Sequence, residues 1–292
     1  MIVTSGSSAG FVLAFLAILD HGDGFGLPSP GYPCYRQILK ALGFRAHLIE
    51  TTAEGRWMPT PADVDALVGS DAAGLLLASP NNPTGTMATG ARLKELAEAC
   101  TRQGLWLISD EIYHGLEYVV AAETALAYSD TAIVVNSFSK YFSMTGWRVG
   151  WLIVPEVLTR TIERLSQNLY IAPPTVSQVA ALGAFDGIDE LEEIKRFYAR
   201  NRALLLNELP QAGFPNILPA DGAFYLYADI RHLTDDSAAF AQAMLREIGV
   251  AATPGLDFDP ERGRSYLRLS YAGAEREIRE AAMRIAAWLK RR

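Results

Sequence analysis

One lysine of this chain lies in a segment rich in hydroxyl side chains, eight residues before an arginine. The segment runs from Ser137 to Gly150 and contains Lys140 and Arg148. A lysine that emerges at the end of a buried strand is able to form a Schiff base with an aldehyde cofactor. Hydroxyl groups and a guanidinium suit a phosphate dianion, which takes several charge-assisted hydrogen bonds. A solvated loop lysine is the ordinary alternative, so the assignment depends on residues elsewhere.

A second anion site is indicated close to residue 1, where small hydroxyl residues precede an apolar helical stretch. Residues 4–10 have the sequence TSGSSAG, which includes Ser7 and Ser8, and residues 11–19 are apolar. The first N–H groups of a helix have no partner within the helix, and they therefore attract anions. A serine that only caps the helix explains the same pattern.

Two further loops carry groups suited to a flat, polar ring. Tyr32 lies between Gly31 and Pro33, in a rigid turn that presents the aromatic ring for stacking. Asn82 follows the strand predicted at residues 74–78, and ligands of α/β sheets bind beyond the carboxyl ends of strands. Packing of the tyrosine on its own scaffold and a tight turn at the asparagine remain the alternatives.

An aspartate and a tyrosine follow the next predicted strand. Asp110 comes directly after residues 105–109, and Tyr113 follows three residues later. An aspartate in this position can keep a pyridine nitrogen protonated, which makes the ring an electron sink. The tyrosine hydroxyl can donate to a ring hydroxyl. An aspartate that caps a helix is the alternative for so short a pattern.

Short apolar runs that alternate with helical patterns must position these residues. The predicted strands are residues 24–27, 45–50, 74–78, 105–109, 132–136 and 150–154, and the predicted helices include residues 35–42, 61–68 and 89–102. This alternation predicts an α/β fold whose sheet is mostly parallel and covered by helices on both faces. Because the polar loops follow strands of one sheet, we expect them to meet at one edge.

The pattern changes after residue 188. Residues 189–208 are charged and helical, and they are predicted to bridge two domains. Strand patterns then occur at residues 223–228 and 266–270, and helical patterns at residues 237–248 and 274–290. We therefore predict a large domain, residues 1–188, and a smaller α+β domain, residues 189–292.

The composition argues against several classes of function. The chain has 292 residues, a net charge of -7 and no basic stripe, so no nucleic-acid partner is predicted. Its two cysteines lack the spacing of a zinc site or a disulfide framework, so no metal is predicted. The apolar run at residues 11–19 is shorter than the roughly 20 residues that span a bilayer. We expect a cytoplasmic protein with no membrane partner.

Together these segments resemble the class I and II aminotransferases, which are pyridoxal phosphate enzymes of fold type I. The resemblance extends along the whole chain and depends most on NNPTG at residues 81–85 and SFSK at residues 137–140. It implies that the cofactor is held by Lys140 as a Schiff base, Asp110 at the ring nitrogen, Tyr113 and Asn82 at the ring hydroxyl, Tyr32 on the ring face, and Ser7, Ser8, Ser137 and Arg148 at the phosphate.

The resemblance also implies how substrates bind and react. Arg268, in the strand pattern at residues 266–270, takes the α-carboxylate of the substrate through a bidentate contact, with Asn82 beside it. Without the resemblance, this arginine is interpreted as an ordinary surface residue on an edge strand. An α-amino acid gives its amino group to a 2-oxo acid, and Lys140 is the base that moves the α-proton.

The resemblance leaves the reaction and the assembly open. Family members carry several tens of residues before the glycine-serine loop, so we expect this chain to be truncated at its N-terminus, with a less covered substrate side. A β-elimination lyase on the same scaffold and a truncated, non-catalytic paralogue that binds the cofactor are the alternatives. A homodimer is implied by the resemblance alone, and neither the amino acid nor the 2-oxo acid is identified.

Overall fold

The computed structural model describes residues 1–291, which form two β-sheets surrounded by helices. The helices are Ser7–Ile18 (α1), Pro33–Ala41 (α2), Pro61–Leu67 (α3), Gly90–Gln103 (α4), Glu156–Leu169 (α5), Thr175–Gly183 (α6), Ile188–Ala212 (α7), Ser237–Ile248 (α8) and Glu275–Leu289 (α9). The strands are Ile2–Thr4 (β1), Gly24–Ser29 (β2), Arg45–Glu50 (β3), Ala72–Ala78 (β4), Trp106–Asp110 (β5), Ile133–Ser137 (β6), Gly150–Ile153 (β7), Tyr225–Asp229 (β8), Thr253–Pro254 (β9) and Tyr266–Ser270 (β10). Residue 292, the last of the predicted smaller domain, lies outside the described residues.

The larger sheet has seven strands in the order β1-β7-β6-β5-β4-β2-β3. Strands β2 to β6 are parallel to one another, whereas β7 is antiparallel to both β6 and β1. Alternate side chains of β4 enter two different cores, because successive residues of a strand point to opposite faces. Leu75 and Leu77 pack in the core that includes α3 and α4, and Leu76 packs in the core that includes α1, α2 and α5. The predicted fold class is confirmed.

All six strands that the sequence patterns predict before residue 188 are present in the structure. The ends of these strands differ from the predicted ends by a few residues. The patterns do not predict β1, β9, α5 or α6. The long charged helix α7 is also longer than residues 189–208, and it ends before Gly213, which has φ 114°. A positive φ at this position is typical of a glycine that terminates a helix.

The smaller sheet is antiparallel, with the order β8-β10-β9. It has its own core, in which Phe214, Leu226 and Trp288 are fully buried. Asn201 of α7 joins the helix to the segment after β10, since its Nδ2 donates to the carbonyl oxygens of Tyr271 at 2.9 Å and Gly273 at 2.7 Å. The boundary between residues 188 and 189 stays a prediction.

One edge of the larger sheet gathers the ends of several strands. Strands β4, β5 and β6 end there, at Ala78, Asp110 and Ser137. Because β7 is antiparallel to β6, it begins at the same edge, directly after Val149. Strand β1 is antiparallel to β7, so its carboxyl end and the start of α1 lie there as well. Within residues 1–291, no helix has both the length and the apolar character that crossing a bilayer requires.

Candidate active site

A cavity of about 310 Å³ lies at this edge of the larger sheet. Its lining includes nine of the ten residues that the sequence predicts for the site: Ser7, Ser8, Tyr32, Asn82, Asp110, Tyr113, Lys140, Arg148 and Arg268. The start of α1, the turn before α2, the ends of β4, β5 and β6 and the strand β10 supply these side chains. The carboxyl ends of parallel strands therefore bring distant segments to one place, as expected for this class of sheet.

Ser137 is the predicted site residue that does not line the cavity. It is the last residue of β6 and is almost fully buried, and its Oγ lies 2.9 Å from the Val149 carbonyl oxygen. The Ser139 side chain lines the cavity instead, with its Oγ 3.4 Å from Nη1 of Arg148. The antiparallel pairing of β6 with β7 directs the Ser137 hydroxyl to the neighbouring chain segment. Ser139 is therefore the hydroxyl of this pair that lines the cavity, and the assignment of Ser137 to the phosphate stays a prediction.

Arg148 lies next to the amino end of α1. Gly6, the residue before this helix, has φ 79°, and no side chain caps the helix there. A Cβ atom on Gly6 would overlap the Arg148 guanidinium in its present position, and the positive φ also favours glycine here. Nη1 of Arg148 donates to the Thr145 carbonyl oxygen at 2.8 Å, which fixes the guanidinium. Open N–H groups of α1 and this guanidinium together form an anion site.

Asp110 ends β5 and is 3% exposed. Its Oδ1 accepts a hydrogen bond from the Ile112 backbone N–H at 3.1 Å, and its Oδ2 accepts one from the Tyr35 hydroxyl. Burial raises the pKa of Asp110 to about 6, whereas these two hydrogen bonds act to lower it. The carboxyl group is therefore poised to ionise just below neutral pH, with free lone pairs for one more donor.

Lys140 Nζ lies 5.6 Å from the centre of the Tyr113 ring and 5.7 Å from the centre of the Phe224 ring. Burial lowers the pKa of Lys140, the Asp110 carboxylate opposes this effect, and two nearby arginines add to it. A lower pKa increases the fraction of neutral amine, which is the form that acts as nucleophile and as base.

Arg268 projects from β10 and is bound on several sides. Its Nη1 donates to Oδ1 of Asn82 at 2.9 Å, and its Nη2 donates to Oγ1 of Thr253 at 3.1 Å. Its Nε is buried and has no hydrogen-bond partner within residues 1–291. Since β10 is the central strand of its sheet, the interpretation as a surface arginine on an edge strand is wrong. A half-buried guanidinium whose Nε is a free donor suits a carboxylate.

Seven further residues line the cavity, and four of them carry hydroxyl groups that the sequence analysis did not assign to the site: Tyr35, Ser139, Thr145 and Tyr225. Tyr35 is buried, and its ring meets the half-exposed Tyr32 ring at 82° with 5.5 Å between the ring centres. Its partner Asp110 lies 75 residues further along the chain, so no local pattern signals the contact. The hydroxyls of Tyr225 and Tyr113 lie 3.2 Å apart across an even longer separation.

Charge is unbalanced in this cavity. Lys140, Arg148 and Arg268 line it together with one carboxyl group, that of Asp110. None of the three cations forms an ion pair with a carboxylate in the part of the chain that the structure describes. Lys140 and Arg268 are partly buried and Arg148 is exposed, so the three cations share one cavity without a neutralising partner. The arrangement therefore favours ligands with negative charge at two places, beside Arg148 and beside Arg268.

The raised pKa of Asp110 predicts a pH-dependent effect on stability. Because its pKa is higher in the folded protein than in the unfolded chain, Asp110 lowers the free energy of unfolding as pH rises from about 4 to about 6. We expect Asp110→Asn to stabilise the cofactor-free protein by about 2–3 kcal/mol near pH 8, and by almost nothing near pH 4. Urea unfolding of both proteins at the two pH values measures the difference.

The matched control is Asp130→Asn, which removes an exposed carboxylate. Its effect is expected to stay within about 0.5 kcal/mol at both pH values. A stabilisation by Asp110→Asn that is the same at both pH values contradicts the explanation by burial of the charge.

Comparisons with known proteins agree with this geometry. The family model described as aminotransferase class I and II matches residues 1–285. Valine–pyruvate aminotransferase of Mycobacterium tuberculosis is 47% identical over 293 residues, which cover 99% of this chain and 75% of that protein. A solved structure from Silicibacter pomeroyi is 55% identical with a TM-score of 0.96, and the match covers 100% of this chain and 78% of that chain.

A more distant solved structure is aspartate aminotransferase from Thermus thermophilus with maleate. It is 32% identical with a TM-score of 0.92, and the match covers 98% of this chain and 75% of that chain. Both the family model and these relatives extend over nearly all of the sequence. The resemblance seen in the sequence motifs is confirmed: the chain belongs to the class I and II aminotransferases.

Proposed function

We propose that this aminotransferase moves an amino group from an α-amino acid to a 2-oxo acid, with pyridoxal phosphate held at Lys140. The observation that carries the proposal is the charge of the cavity, where three cations without carboxylate partners face one buried carboxyl group. A phosphate dianion beside Arg148 and a substrate carboxylate beside Arg268 compensate these charges. The family itself is known to depend on pyridoxal phosphate.

The residues present fit that cofactor. Arg148 occupies the space beside Gly6 that a Cβ would fill, so its guanidinium lies next to the open N–H groups of α1, and together they suit a phosphate group. The Ser7, Ser8 and Ser139 side chains line the same cavity as possible hydroxyl donors. We assign to this group of residues the binding of the phosphate.

The ring contacts are assigned from the other side of the cavity. Asp110 holds a proton on the ring nitrogen, Tyr113 and Asn82 bind the ring hydroxyl, and the Tyr32 ring covers one face. When bound, pyridoxal phosphate supplies an aldehyde that bonds to amines and a pyridinium ring that accepts electrons from the substrate carbon. Tyr35 keeps the Asp110 carboxylate ionised by donating a hydrogen bond to its Oδ2.

Lys140 has two tasks in this proposal. Its Nζ would hold the cofactor covalently before the substrate arrives and would be released when the substrate amine takes its place on the cofactor. The freed Nζ would then accept the proton of the substrate Cα and donate it to the cofactor. Both tasks require a neutral amine, which the lowered pKa of Lys140 favours. Asp110 opposes this shift, and its negative charge at the ring nitrogen is partly compensated once a protonated ring is bound beside it.

Arg268 is assigned to the α-carboxylate of both substrates. Its bond to Asn82 fixes one edge of the guanidinium, and the buried Nε is left as a free donor. The valine–pyruvate aminotransferase of Mycobacterium tuberculosis, at 47% identity, supports valine and pyruvate as the first pair to test. The maleate in the Thermus thermophilus structure supports carboxylates as ligands of this class of site.

A homodimer is part of the proposal because one helix face is apolar and exposed. Val176, Val179 and Leu182 of α6 recur every three residues and are each more than 60% exposed. Residues at this spacing lie on one face of a helix. Leu169, Ile171 and Phe185 nearby in the sequence are also exposed. An apolar patch of this kind marks an interface, and we assign it to a second copy of the chain.

The first prediction from this proposal concerns Lys140→Ala. We expect this variant to lose the yellow, borohydride-reducible attachment of pyridoxal phosphate and to transfer the amino group of valine to pyruvate at least about 10³-fold more slowly. Visible absorbance, peptide mapping after reduction and alanine formation measure these effects. Lys94→Ala, which removes an exposed lysine of α4, is the control and should match the unaltered protein. Attachment that persists in Lys140→Ala refutes the assignment.

The second prediction concerns assembly. Replacing both Val179 and Leu182 by Asp puts charge on the exposed face of α6, so we expect the variant to sediment as a monomer where the unaltered chain sediments as a dimer. Met283→Asp on α9, also an exposed apolar residue, is the control and should leave the sedimentation coefficient unchanged. A monomeric unaltered chain, or a double variant that stays dimeric, contradicts the assigned interface.

A further inference from the structure

Tyr225 lies where the two halves of the cavity meet. It is the first residue of β8 and is 6% exposed. Directly opposite it in the antiparallel pair is Ser270 of β10, and Arg268 is the diagonal neighbour on the same face. The Tyr225 side chain thus reaches both the arginine that faces the substrate and the tyrosine that faces the cofactor ring.

The first contact of Tyr225 is made by its ring. The Arg268 guanidinium carbon lies 4.2 Å from the centre of the Tyr225 ring, and 4.7 Å from the centre of the Phe258 ring. A guanidinium is attracted by the negative face of an aromatic ring, most strongly where water is excluded. Since no carboxylate within residues 1–291 pairs with Arg268, these rings stabilise the half-buried cation until a ligand arrives.

The second contact is made by the hydroxyl group. The Tyr113 hydroxyl donates to the Tyr225 hydroxyl at 3.2 Å, and the two rings meet at 84°. A phenol has one hydrogen to donate, so Tyr225 keeps its own hydrogen while it accepts from Tyr113. The orientation of the Tyr113 hydroxyl therefore depends on Tyr225.

We propose that Tyr225 is a positioning residue that aligns the two ends of the substrate site. Its ring face orients Arg268 for the substrate carboxylate, and its hydroxyl orients Tyr113 at the cofactor. The inference rests on the proposed function, because it takes the roles of Arg268 and Tyr113 from there. The two contacts use different parts of one side chain, so they can be removed separately.

Tyr227, on the same strand, is a tyrosine that has only a packing role, and it serves as a comparison for Tyr225. It lies two residues further along β8, on the same face, and its ring stacks on Tyr266 with 4.8 Å between ring centres. Its hydroxyl is buried and has no hydrogen-bond partner within residues 1–291. Tyr225 differs in both respects, since its face contacts a cation and its hydroxyl is bonded to a proposed site residue. Tyr227→Phe is therefore the matched control.

The test compares Tyr225→Phe, Tyr225→Leu and Tyr227→Phe in the cofactor-loaded protein. Isovalerate, a carboxylate that carries neither an amino nor an oxo group, is titrated calorimetrically. We expect Tyr225→Leu to weaken isovalerate binding about tenfold, because the ring under Arg268 is lost. Tyr225→Phe keeps the ring and should bind isovalerate within about twofold of the unaltered protein.

Kinetics then separate the hydroxyl contact from the ring contact. Tyr225→Phe is expected to lower kcat for valine and pyruvate by about fivefold to tenfold with an unchanged KM for pyruvate, since only the orientation of Tyr113 is lost. Tyr225→Leu is expected to raise that KM as well. Tyr227→Phe should change neither quantity, which excludes a general effect of altering β8.

Two outcomes overturn the inference while the proposed function stands. One is isovalerate binding by Tyr225→Leu that equals that of the unaltered protein, and the other is an unchanged kcat in Tyr225→Phe. Arg268→Lys tests the proposed function separately, and it should weaken isovalerate binding at least as much as Tyr225→Leu does. If the unaltered protein and Arg268→Lys bind isovalerate equally, the carboxylate assignment fails, and the inference fails with it.

Discussion

The burial of one carboxyl group among three cations is the constraint on which the rest of the site depends. Burial raises the pKa of Asp110 and lowers that of Lys140, so burial favours the neutral form of both groups. Arg148 and Arg268 lie in the same cavity without carboxylate partners. The positive charges of this cavity therefore favour the binding of anionic ligands.

The sheet explains how four charged groups from distant parts of the chain come so close. Parallel strands β4, β5 and β6 deliver Asn82, Asp110 and Lys140 to the same edge. Antiparallel β7 starts at that edge and brings Arg148, and β10 of the smaller sheet supplies Arg268 from outside. The backbone thus fixes the positions of the charges, and side-chain contacts such as those of Tyr35 and Tyr225 fix their orientations.

Much of this site was predictable because the signals are local. Lys140, Asp110 and Asn82 each follow an apolar strand within a few residues, and the carboxyl-end rule then places them together. Tyr35 was not predictable in the same way. Its contact with Asp110 spans 75 residues, and the residue itself lies in an ordinary helical pattern that does not indicate a site. Tyr225 is a similar case, with 112 residues between it and Tyr113.

The serines show a different limit of prediction from sequence. The motif contains hydroxyls at positions 137 and 139, and nothing local distinguishes them. The difference arises from β7, whose antiparallel pairing with β6 gives the Ser137 hydroxyl an acceptor in the Val149 carbonyl group. That pairing depends on a reversal of strand direction that alternating apolar and helical patterns do not reveal.

A crystal structure of the protein with pyridoxal phosphate bound is the most direct test of the proposed cofactor site. We expect continuous electron density from Lys140 Nζ to the cofactor, the phosphate between Arg148 and the start of α1, and the ring nitrogen roughly 3 Å from an Asp110 oxygen. A cofactor attached to another lysine, or a phosphate placed away from Arg148, contradicts the proposed site. Either result would mean that the charges of the cavity serve another ligand.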